Sequence, residues 1–586
     1  MLGAGEDGNM GRSKELLYQP PIATTGGPKQ LPQFFIASAP LRRLELLMPR
    51  RYRPLHLLLT LFVAQVALAA ETSQIPDILG QDVSRFNELM SNPVAELRIE
   101  GALGARHLRL AMFEPKLIGL LKDHDPVVRQ EAVVALSQCG TSDSIGHLIV
   151  LLSDPHWQVR EHVRMALCRM TGQSFSAAQS AQWEPWWNAT SIEQKQERLF
   201  TDLVADDPAV RHAAGRALRC LATQGCEDRI LGVLQQGKAG REHAMLVEAL
   251  DRIGTPKSMP YFLQRAGVGD RAAAWALGRR GGADAEEALL KGLVRNWSLD
   301  FFLNLDRVRS TKCGPFLARL CGNFASLIRA GRGEDLRYPP SPLRRVSANL
   351  IHRSGKGPML VDLILAEMEG TAKEDAIPGD LKPLFQDLRR ILTPEFVREG
   401  FSHCDPLLGV LYDVANDPAL AARLIPLLQS QSLLVRIYAG LTLGKLGAAE
   451  AVGPLLEVIR EGYAFSDSTA PASAKHTVNI LNVDGKPQRQ GQTVRWLGYL
   501  CTALGHIGTD DARRALESLA NDPDAPRDVR YGSVIGLGHV GSMESLPALR
   551  KAAEQDIIWM IRDVASQTIH EIEIANRARS ASRGPA

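Results

Sequence analysis

A short pattern that starts with Asp-Pro or Asn-Pro and continues to an arginine recurs along this chain of 586 residues. Its first three arginines, Arg98, Arg129 and Arg160, are spaced evenly, 31 residues apart. Asp or Asn before Pro is typical of a helix start, because the side chain caps free N–H groups and Pro suits the first turn. A repeat period of roughly 20–50 residues indicates stacked supersecondary units. The spacing therefore predicts a repeat architecture.

Other residue types also recur at fixed distances from each arginine, and each such aligned position is called a column here. Asp125 is the predicted N-cap of one unit, and Gly140, eleven residues after Arg129, is its predicted left-handed stop. Small residues lie three positions after the arginines, and the leucine column, seven positions after, comprises Leu136, Leu167, Leu218, Leu443 and Leu537. A leucine and a small residue on one face indicate closely packed helices. A shorter apolar helix is predicted before each unit, over 113–121, 145–152 and 546–552 for example, so the fold class is all-α, an α-solenoid.

These units resemble HEAT repeats, specifically the bacterial phycobilisome-lyase-type HEAT-like repeats. The resemblance rests on the Asp-Pro-x-Val-Arg start at 125–129, the Ala-Leu pairs at 135–136, 166–167 and 217–218, and the Leu-Gly-x-x-Gly ends at 443–447 and 537–541. It implies an aspartate–arginine ladder between neighbouring repeats. On this sequence the ladder maps to Asp123/Arg129, Asp154/Arg160, Asp524/Arg530 and Asp556/Arg562.

Charge and composition favour a scaffold over a nucleic-acid-binding protein. The chain is 45% hydrophobic and only 6% aromatic, which suits helices packed through Leu and Ala. Its net charge is +3, and residues 1–53 alone hold eight Arg or Lys against four Asp or Glu. The remainder therefore has no domain-wide basic surface for nucleic acid.

The N-terminal region carries an export pattern. Residues 1–47 are predicted to be disordered and to come from an upstream start codon that is not used. Residues 48–69 combine a basic start, an apolar run over 55–67 and the small-x-small end Ala67-Leu68-Ala69, which predicts a secretory signal peptide with cleavage before Ala70. The alternative is an uncleaved N-terminal membrane anchor. We expect the product in the periplasm or cell envelope, with no membrane span after cleavage.

The remaining chain divides by the quality of its repeats. We expect an N-terminal array over 70–284 with a tryptophan segment at 173–190, degenerate helical repeats over 285–415, a C-terminal array over 416–575 with an insert at 465–492, and a disordered tail over 576–586. Trp183, Trp186 and Trp187 could form a ligand platform or a wedge over a repeat junction, and the wedge is favoured. Within the insert, polar and apolar residues alternate before the turn signal Asp484-Gly485, which indicates a small hairpin near 476–490.

Two segments are candidate partner-binding sites. The hairpin would present His476, Asp484 and Lys486, because inserts in solenoids often lie on the binding face. An arginine cluster around a proline-rich turn at 338–342 could take an anionic partner, and its candidates are Arg329, Arg344 and Arg345. A tolerated surface loop remains the alternative for each segment.

The sequence contains few candidates for catalytic or cofactor-binding residues. Gly536-x-Gly538-x-x-Gly541 matches a dinucleotide-binding string, but it falls at the end of a repeat helix with no strand before it. The eight cysteines lack metal-binding spacing, although Cys220 and Cys226 could oxidise in an exported chain. His403-Cys404-Asp405 resembles a nucleophile beside a base, yet adjacent residues rarely face each other. We therefore expect no catalytic, cofactor or metal residues.

The sequence predicts an exported scaffold that binds a protein or polymer partner on a curved helical surface. A dozen repeats would span roughly 100 Å at about 8–10 Å per helix pair, which suits a protein or polymer partner better than a small substrate. One alternative is a lyase that attaches bilin chromophores, as the name of the repeat suggests. Another is an accessory subunit of an envelope enzyme complex whose catalytic part lies on a different chain.

Overall fold

The computed structural model describes residues 77–237, 239–326, 342–393, 405–463, 475–481, 487–493 and 496–582. Within these ranges almost all the secondary structure is helical, and the helices form antiparallel pairs that stack side by side. The prediction of an all-α solenoid is confirmed. The predicted signal peptide and the residues before it lie outside the described ranges. None of the helices described here is long and apolar enough to cross a bilayer.

The helices fall into two groups separated by residues 327–341. The first group is α1 (Ile78–Leu89), α2 (Ala95–Leu108), α3 (Glu114–Leu120), α4 (Pro126–Cys139), α5 (Asp143–Val150), α6 (Trp157–Thr171), α7 (Trp183–Ala189), α8 (Ile192–Asp202), α9 (Pro208–Leu221), α10 (Glu227–Gln235), α11 (His243–Ile253), α12 (Met259–Gly267), α13 (Arg271–Arg280), α14 (Ala283–Arg295), α15 (Leu299–Arg307) and α16 (Leu317–Gly322). The second group is α17 (Pro342–Arg353), α18 (Gly357–Met368), α19 (Lys382–Ile391), α20 (Pro406–Val414), α21 (Ala421–Leu427), α22 (Leu433–Leu446), α23 (Val452–Tyr463), α24 (Trp496–Ile507), α25 (Asp510–Ala520), α26 (Arg527–Val540), α27 (Leu546–Gln555) and α28 (Trp559–Ser582).

The second helix of each pair contacts the second helix of the next pair, so these helices form one continuous row. The row runs through α2, α4, α6, α9, α11, α13, α15, α17, α20, α22, α24, α26 and α28. All five leucines of the predicted column are fully buried in it. Burying one such side chain contributes about 2 kcal/mol, so the leucine column accounts for why neighbouring pairs adhere. The row also passes through residues 285–415, where the sequence pattern is weakest.

Helix α4 shows how the local sequence sets its boundaries. The Asp125 carboxylate accepts a hydrogen bond from the Val127 N–H at 2.7 Å, and Pro126 occupies the first turn. The predicted left-handed stop at Gly140 is wrong, because its φ is −73°. Glycine is needed there for space, since a Cβ would lie 2.6 Å from the Leu136 carbonyl oxygen. The same column does end helices in the left-handed conformation at Gly447 and Gly541.

The row winds back on itself. Helix α1 packs against α15 and α17 in the middle of the chain. Leu97 of α2 and Ile574 of α28 are both buried in one apolar cluster, beside Leu89 and Ala578. The N-terminal pair therefore touches both the middle and the C-terminal end of the array, a contact that the expected span of roughly 100 Å did not anticipate.

The same contact corrects the predicted boundary of the C-terminal tail. We expected disorder from residue 576, but α28 continues to Ser582. Ala578 packs on the cluster that Leu97 and Ile574 form, so this part of the tail has apolar surface to bury.

The insert between α23 and α24 contains an antiparallel hairpin. Strand β1 (Lys475–Leu481) pairs with β2 (Pro487–Thr493), with Lys475 opposite Thr493 and Leu481 opposite Pro487. The predicted turn residues Asp484 and Gly485 lie outside the described ranges. Because α23 and α24 are the two helices of one pair, the insert leaves the row of second helices unbroken.

Candidate partner-binding surface

At three second helices, an arginine near the start of the helix joins its own pair to the next one; these arginines are Arg98, Arg129 and Arg530. The Arg129 guanidinium donates to Asp154 through Nε at 2.7 Å and Nη2 at 3.0 Å. Its third nitrogen, Nη1, donates to the carbonyl oxygens of Asp123 and His124, at the turn between the two helices of its own pair. Arg98 makes the same bidentate contact with Asp123, at 2.7 and 2.9 Å. Charge-assisted, bidentate contacts of this kind are among the stronger hydrogen bonds in proteins.

The observed ladder partners differ from the sequence prediction, which paired each aspartate with the arginine six residues after it. Arg129 reaches Asp123 only through the backbone carbonyl, and its carboxylate partner is Asp154 of the following repeat. Burial alone would raise the pKa of the Asp154 carboxyl, but the hydrogen bonds from Arg129 and from the His156 N–H outweigh burial and hold that pKa below its usual value. Arg160 donates to the carbonyls of Asp154 and Pro155 and has no carboxylate partner among the described residues.

The C-terminal array repeats the arrangement once. Arg530 donates to the Asp556 carboxylate at 2.6 Å, and Arg562 donates to the Asp556 carbonyl oxygen at 2.6 Å. Asp524 is exposed, and its backbone N–H donates a hydrogen bond to the Asp522 carboxylate in the same turn, at 2.9 Å. The ladder therefore breaks at Asp524 and after Arg160, next to the two interruptions of the array.

A second ladder, not anticipated from the sequence, joins the other ends of the second helices. A cation near the end of one second helix donates to backbone carbonyls at the end of the preceding one. The contacts are Arg252 to Ala222 at 2.6 Å, Arg280 to Asp251 and Gly254 at 3.0 Å, and Lys445 to Asp413 at 2.6 Å and Ala415 at 3.1 Å. Cations satisfy the free carbonyls and the negative dipole end of a helix. A basic residue in the last turn is the sequence signal that could have identified this ladder.

A buried ionic cluster holds α1 against the middle of the array. Asp306 on α15 is completely buried and accepts hydrogen bonds from the Ile78 N–H at 2.6 Å and from Asn349 Nδ2 at 3.1 Å. Arg353 also binds the Asp306 carboxylate and donates to its carbonyl oxygen at 3.1 Å. Burial raises the pKa of Asp306, although the charge of Arg353 opposes that shift.

Two of the candidate partner-binding arginines are used inside the chain. Arg344 on α17 is 5% exposed and forms an ion pair with Asp413. Arg345 lies 3.7 Å from the Asp82 carboxylate of α1, and this contact supports the packing of α1 on α17. Both residues lie on a helix, so the surface-loop alternative does not describe them either. Arg329 lies outside the described ranges.

Of the three hairpin candidates, the structure describes only His476, and only through its backbone pairing. His476 lies on β1 opposite Gln492 of β2. Asp484 and Lys486 belong to the connection between the strands, outside the described ranges. The structure therefore shows how the two strands pair and leaves the three candidate side chains as predictions.

The tryptophan segment is packed into the array. Trp183 is fully buried, and its ring makes edge-to-face contacts with Phe175 at 4.9 Å and Trp186 at 5.8 Å between centroids. Lys195 of α8 lies 4.6 Å from the centre of the Trp187 ring and donates to the Trp187 carbonyl oxygen at 2.8 Å. This packing is that of a wedge at a repeat junction, because an enclosed Trp183 offers no face to a ligand.

The glycine string at 536–541 serves helix packing. It lies on α26, where a Cβ on Gly505 of the neighbouring α24 would come within 2.4 Å of the Gly536 Cα. Glycine therefore lets the two helices approach closely. This placement agrees with rejecting the dinucleotide interpretation of the string.

The thiols and other potential metal ligands are dispersed. Cys220 and Cys226 are both free and buried. Across the described ranges no three His, Cys, Asp or Glu side chains gather as metal ligands would. Of His403-Cys404-Asp405, only Asp405 is described, and its carboxylate caps α20 by accepting from the Leu407 N–H at 2.7 Å.

Comparison with protein-family models identifies the type of repeat. HEAT repeats are matched at residues 85–168 and 484–569, and a PBS lyase HEAT-like repeat is matched at residues 271–295. The chain contains HEAT repeats. The two longer matches cover the segments that carry the arginine–aspartate contacts of Arg98, Arg129 and Arg530.

The chain also matches solved structures at low sequence identity. A chain of the Kap95:Nup1 complex is 11% identical, with 84% of this chain and 72% of that chain covered and a TM-score of 0.33. A chain of the S. pombe condensin Cnd3-Cnd2 subcomplex is 14% identical, with 91% and 79% covered and a TM-score of 0.27. Importin beta in an ammonium sulfate condition is 11% identical, with 85% and 79% covered and a TM-score of 0.22. No curated protein matches the chain.

Proposed function

We propose that this HEAT-repeat protein is an exported scaffold that binds a protein partner on its helical surface and catalyses no reaction. The observation that supports this most directly is the unbroken row of second helices. Repeats that contact mainly their neighbours create extended surfaces, and HEAT-repeat solenoids are typical protein-binding scaffolds. Export to the periplasm or cell envelope rests on the signal-peptide pattern at 48–69.

The hairpin insert is the first surface to test. The hairpin is inserted between α23 and α24 and does not interrupt the contacts of α24 with α22 and α26. A shortened variant in which a Gly/Ser linker replaces residues 466–490 should therefore keep its helicity and melting temperature. We expect it to lose a partner that the full chain captures from an envelope fraction and that crosslinks to β1 or β2. Capture of the same partner by the shortened variant would contradict a role for the hairpin.

A lyase-like enzyme is the second candidate, since residues 271–295 match a PBS lyase HEAT-like repeat. A repeat type alone does not establish chemistry, because one fold hosts many functions. Incubating the purified chain with a free bilin and an apo-phycobiliprotein distinguishes the two candidates. Covalent chromophore attachment above the spontaneous rate would favour the lyase, and its absence together with partner capture would favour the scaffold.

The third candidate, an accessory subunit of an envelope enzyme complex, shares the binding activity of the scaffold. It differs in the identity of the captured partner, which would itself carry an enzymatic activity. Assaying the activity of that partner with and without this chain separates the accessory role from a purely structural one.

A further inference from the structure

Five arginines gather at one edge of the N-terminal array. Arg106 lies in the last turn of α2 and Arg109 directly follows that helix, while Arg169 lies in the last turn of α6. Arg216 and Arg219 lie on α9. Arg219 Nη2 donates to the Ser137 carbonyl at the end of α4, 3.4 Å away, so α9 reaches across α6 to the end of α4. The arginines therefore share one edge of the row formed by α2, α4, α6 and α9.

Two of the five arginines have acidic partners. Arg106 lies 3.4 Å from Glu131, and Arg219 lies 3.5 Å from Glu248. Arg109, Arg169 and Arg216 make no ion pair or side-chain hydrogen bond with any described residue. The Nε atom of Arg216 is enclosed by protein and still has no acceptor. Three guanidinium groups thus lie along one edge, and none of them pairs with a carboxylate of the described residues; we call them the arginine triad.

The positive charges of this edge repel one another. Burial lowers the pKa of Arg169, and the charges of Arg216, Arg219 and Arg109 lower it further. Burial also lowers the pKa of Arg216, with a further contribution from Arg219. The dipole of α6 favours a cation at Arg169, but Arg216 lies in the middle of α9 and gains nothing from a helix end. The free protein therefore bears an electrostatic cost at this edge, which a bound anion would relieve.

A ligand can reach the triad from solvent. Arg109 is exposed, and Arg169 and Arg216 are half-buried. The planar guanidinium group presents paired N–H donors that match the two oxygens of a carboxylate. Because the three side chains come from α2, α6 and α9, an extended chain lying across the row would meet them in turn, whereas one small ion would not.

We propose that Arg109, Arg169 and Arg216 form a binding site for the carboxylates of an acidic segment in the partner protein. This inference rests on the proposed scaffold function and adds the chemistry of the partner. Each carboxylate would accept hydrogen bonds from a guanidinium group and would replace repulsion between cations with attraction.

The test uses the purified chain and a fluorescently labelled hexaglutamate peptide, with hexaglutamine and inorganic phosphate as comparison probes at equal ionic strength. We expect hexaglutamate to bind and hexaglutamine not to bind. The double variant Arg169→Gln/Arg216→Gln should bind hexaglutamate about a hundredfold more weakly, since each of the two lost charged hydrogen bonds costs about a factor of ten. The matched control is Arg514→Gln, because Arg514 is 61% exposed on α25 and pairs with Asp511.

Thermal unfolding without peptide gives an independent readout. Removing a cation from a mutually repelling group should raise the melting temperature of Arg216→Gln above wild type, whereas Arg514→Gln should leave it unchanged. A melting temperature below wild type would contradict the triad as a ligand site, because the arginine would then stabilise the fold.

Two binding outcomes would overturn the proposal. One is equal affinity of wild type and the double variant for hexaglutamate. The other is phosphate competing at the concentration of the peptide, which would indicate a small-oxyanion site instead. Partner capture is scored separately: capture without hexaglutamate binding would remove the acidic-segment site and leave the scaffold function standing.

Discussion

The backbone N–H of Ile78 donates a hydrogen bond to the Asp306 carboxylate over 2.6 Å, although the two residues are separated by 228 positions in the chain. Ile78 is the first residue of α1, so Asp306 binds the positive end of that helix's dipole. Together with the apolar contact of Leu97 and Ile574, this bond joins turns of the superhelix that are distant in sequence. The N-terminal helix pair therefore contacts both the middle and the C-terminal end of the array.

We expect Asp306→Ala to destabilise the protein by about 3–5 kcal/mol, since it leaves Arg353 buried without its carboxylate. Small-angle scattering should also show a larger radius of gyration, because α1 is released from α15. Asp387→Ala is the control, since its pair with Arg390 is exposed on both sides. An unchanged radius in a destabilised Asp306→Ala variant would mean that the apolar contacts suffice for closure.

The arginine ladder offers a comparison between two equivalent positions. Arg129→Ala should destabilise the array by about 3 kcal/mol, because it leaves the buried Asp154 carboxylate unpaired. Arg160→Ala should cost only about 1 kcal/mol, since Arg160 contacts backbone carbonyls alone. Chemical denaturation measures both values. Equal losses would show that the carboxylate contact adds nothing to the turn contacts.

Much of this architecture could be predicted from short-range sequence patterns. Asp125 and Pro126 set the start of α4, and Leu136 is buried as its column requires, because these features depend on one helix and its neighbours. The contact of Ile78 with Asp306 could not be predicted, because it depends on superhelical rotation summed over many repeats. The arginine triad was missed for a similar reason, since Arg109, Arg169 and Arg216 belong to no shared sequence column. The ion pair of Arg344 with Asp413 on α20 could not be predicted either, because nothing near Arg344 in sequence indicates that partner.

Glu100 on α2 should make stability depend on pH. Burial raises the pKa of Glu100 to about 7, although Arg85 at 2.6 Å opposes the shift. A carboxyl whose folded-state pKa is raised binds a proton more tightly when folded. Its contribution to stability is therefore complete below about pH 4.5, the unfolded value, and is lost as the pH rises through 7.

The variant Glu100→Gln imitates the protonated form. It should melt above wild type at pH 8 and close to wild type at pH 5, while Glu88→Gln, an exposed change on α1, should shift neither value. Thermal unfolding monitored by circular dichroism measures these melting temperatures at the two pH values. A variant that melts below wild type at pH 8 would show that the ionised Glu100–Arg85 pair stabilises the fold.

The tryptophan segment provides the last prediction. Trp183 is fully buried against Phe175 and Trp186, so Trp183→Ala should leave a cavity and cost about 3–5 kcal/mol. Trp157, at the start of α6, is 64% exposed, and Trp157→Ala should change stability by less than about 0.5 kcal/mol. Urea denaturation of the two variants separates a structural wedge from a surface platform. If Trp183→Ala kept wild-type stability, the segment would not be part of the core, and a ligand-binding role for its rings would have to be considered again.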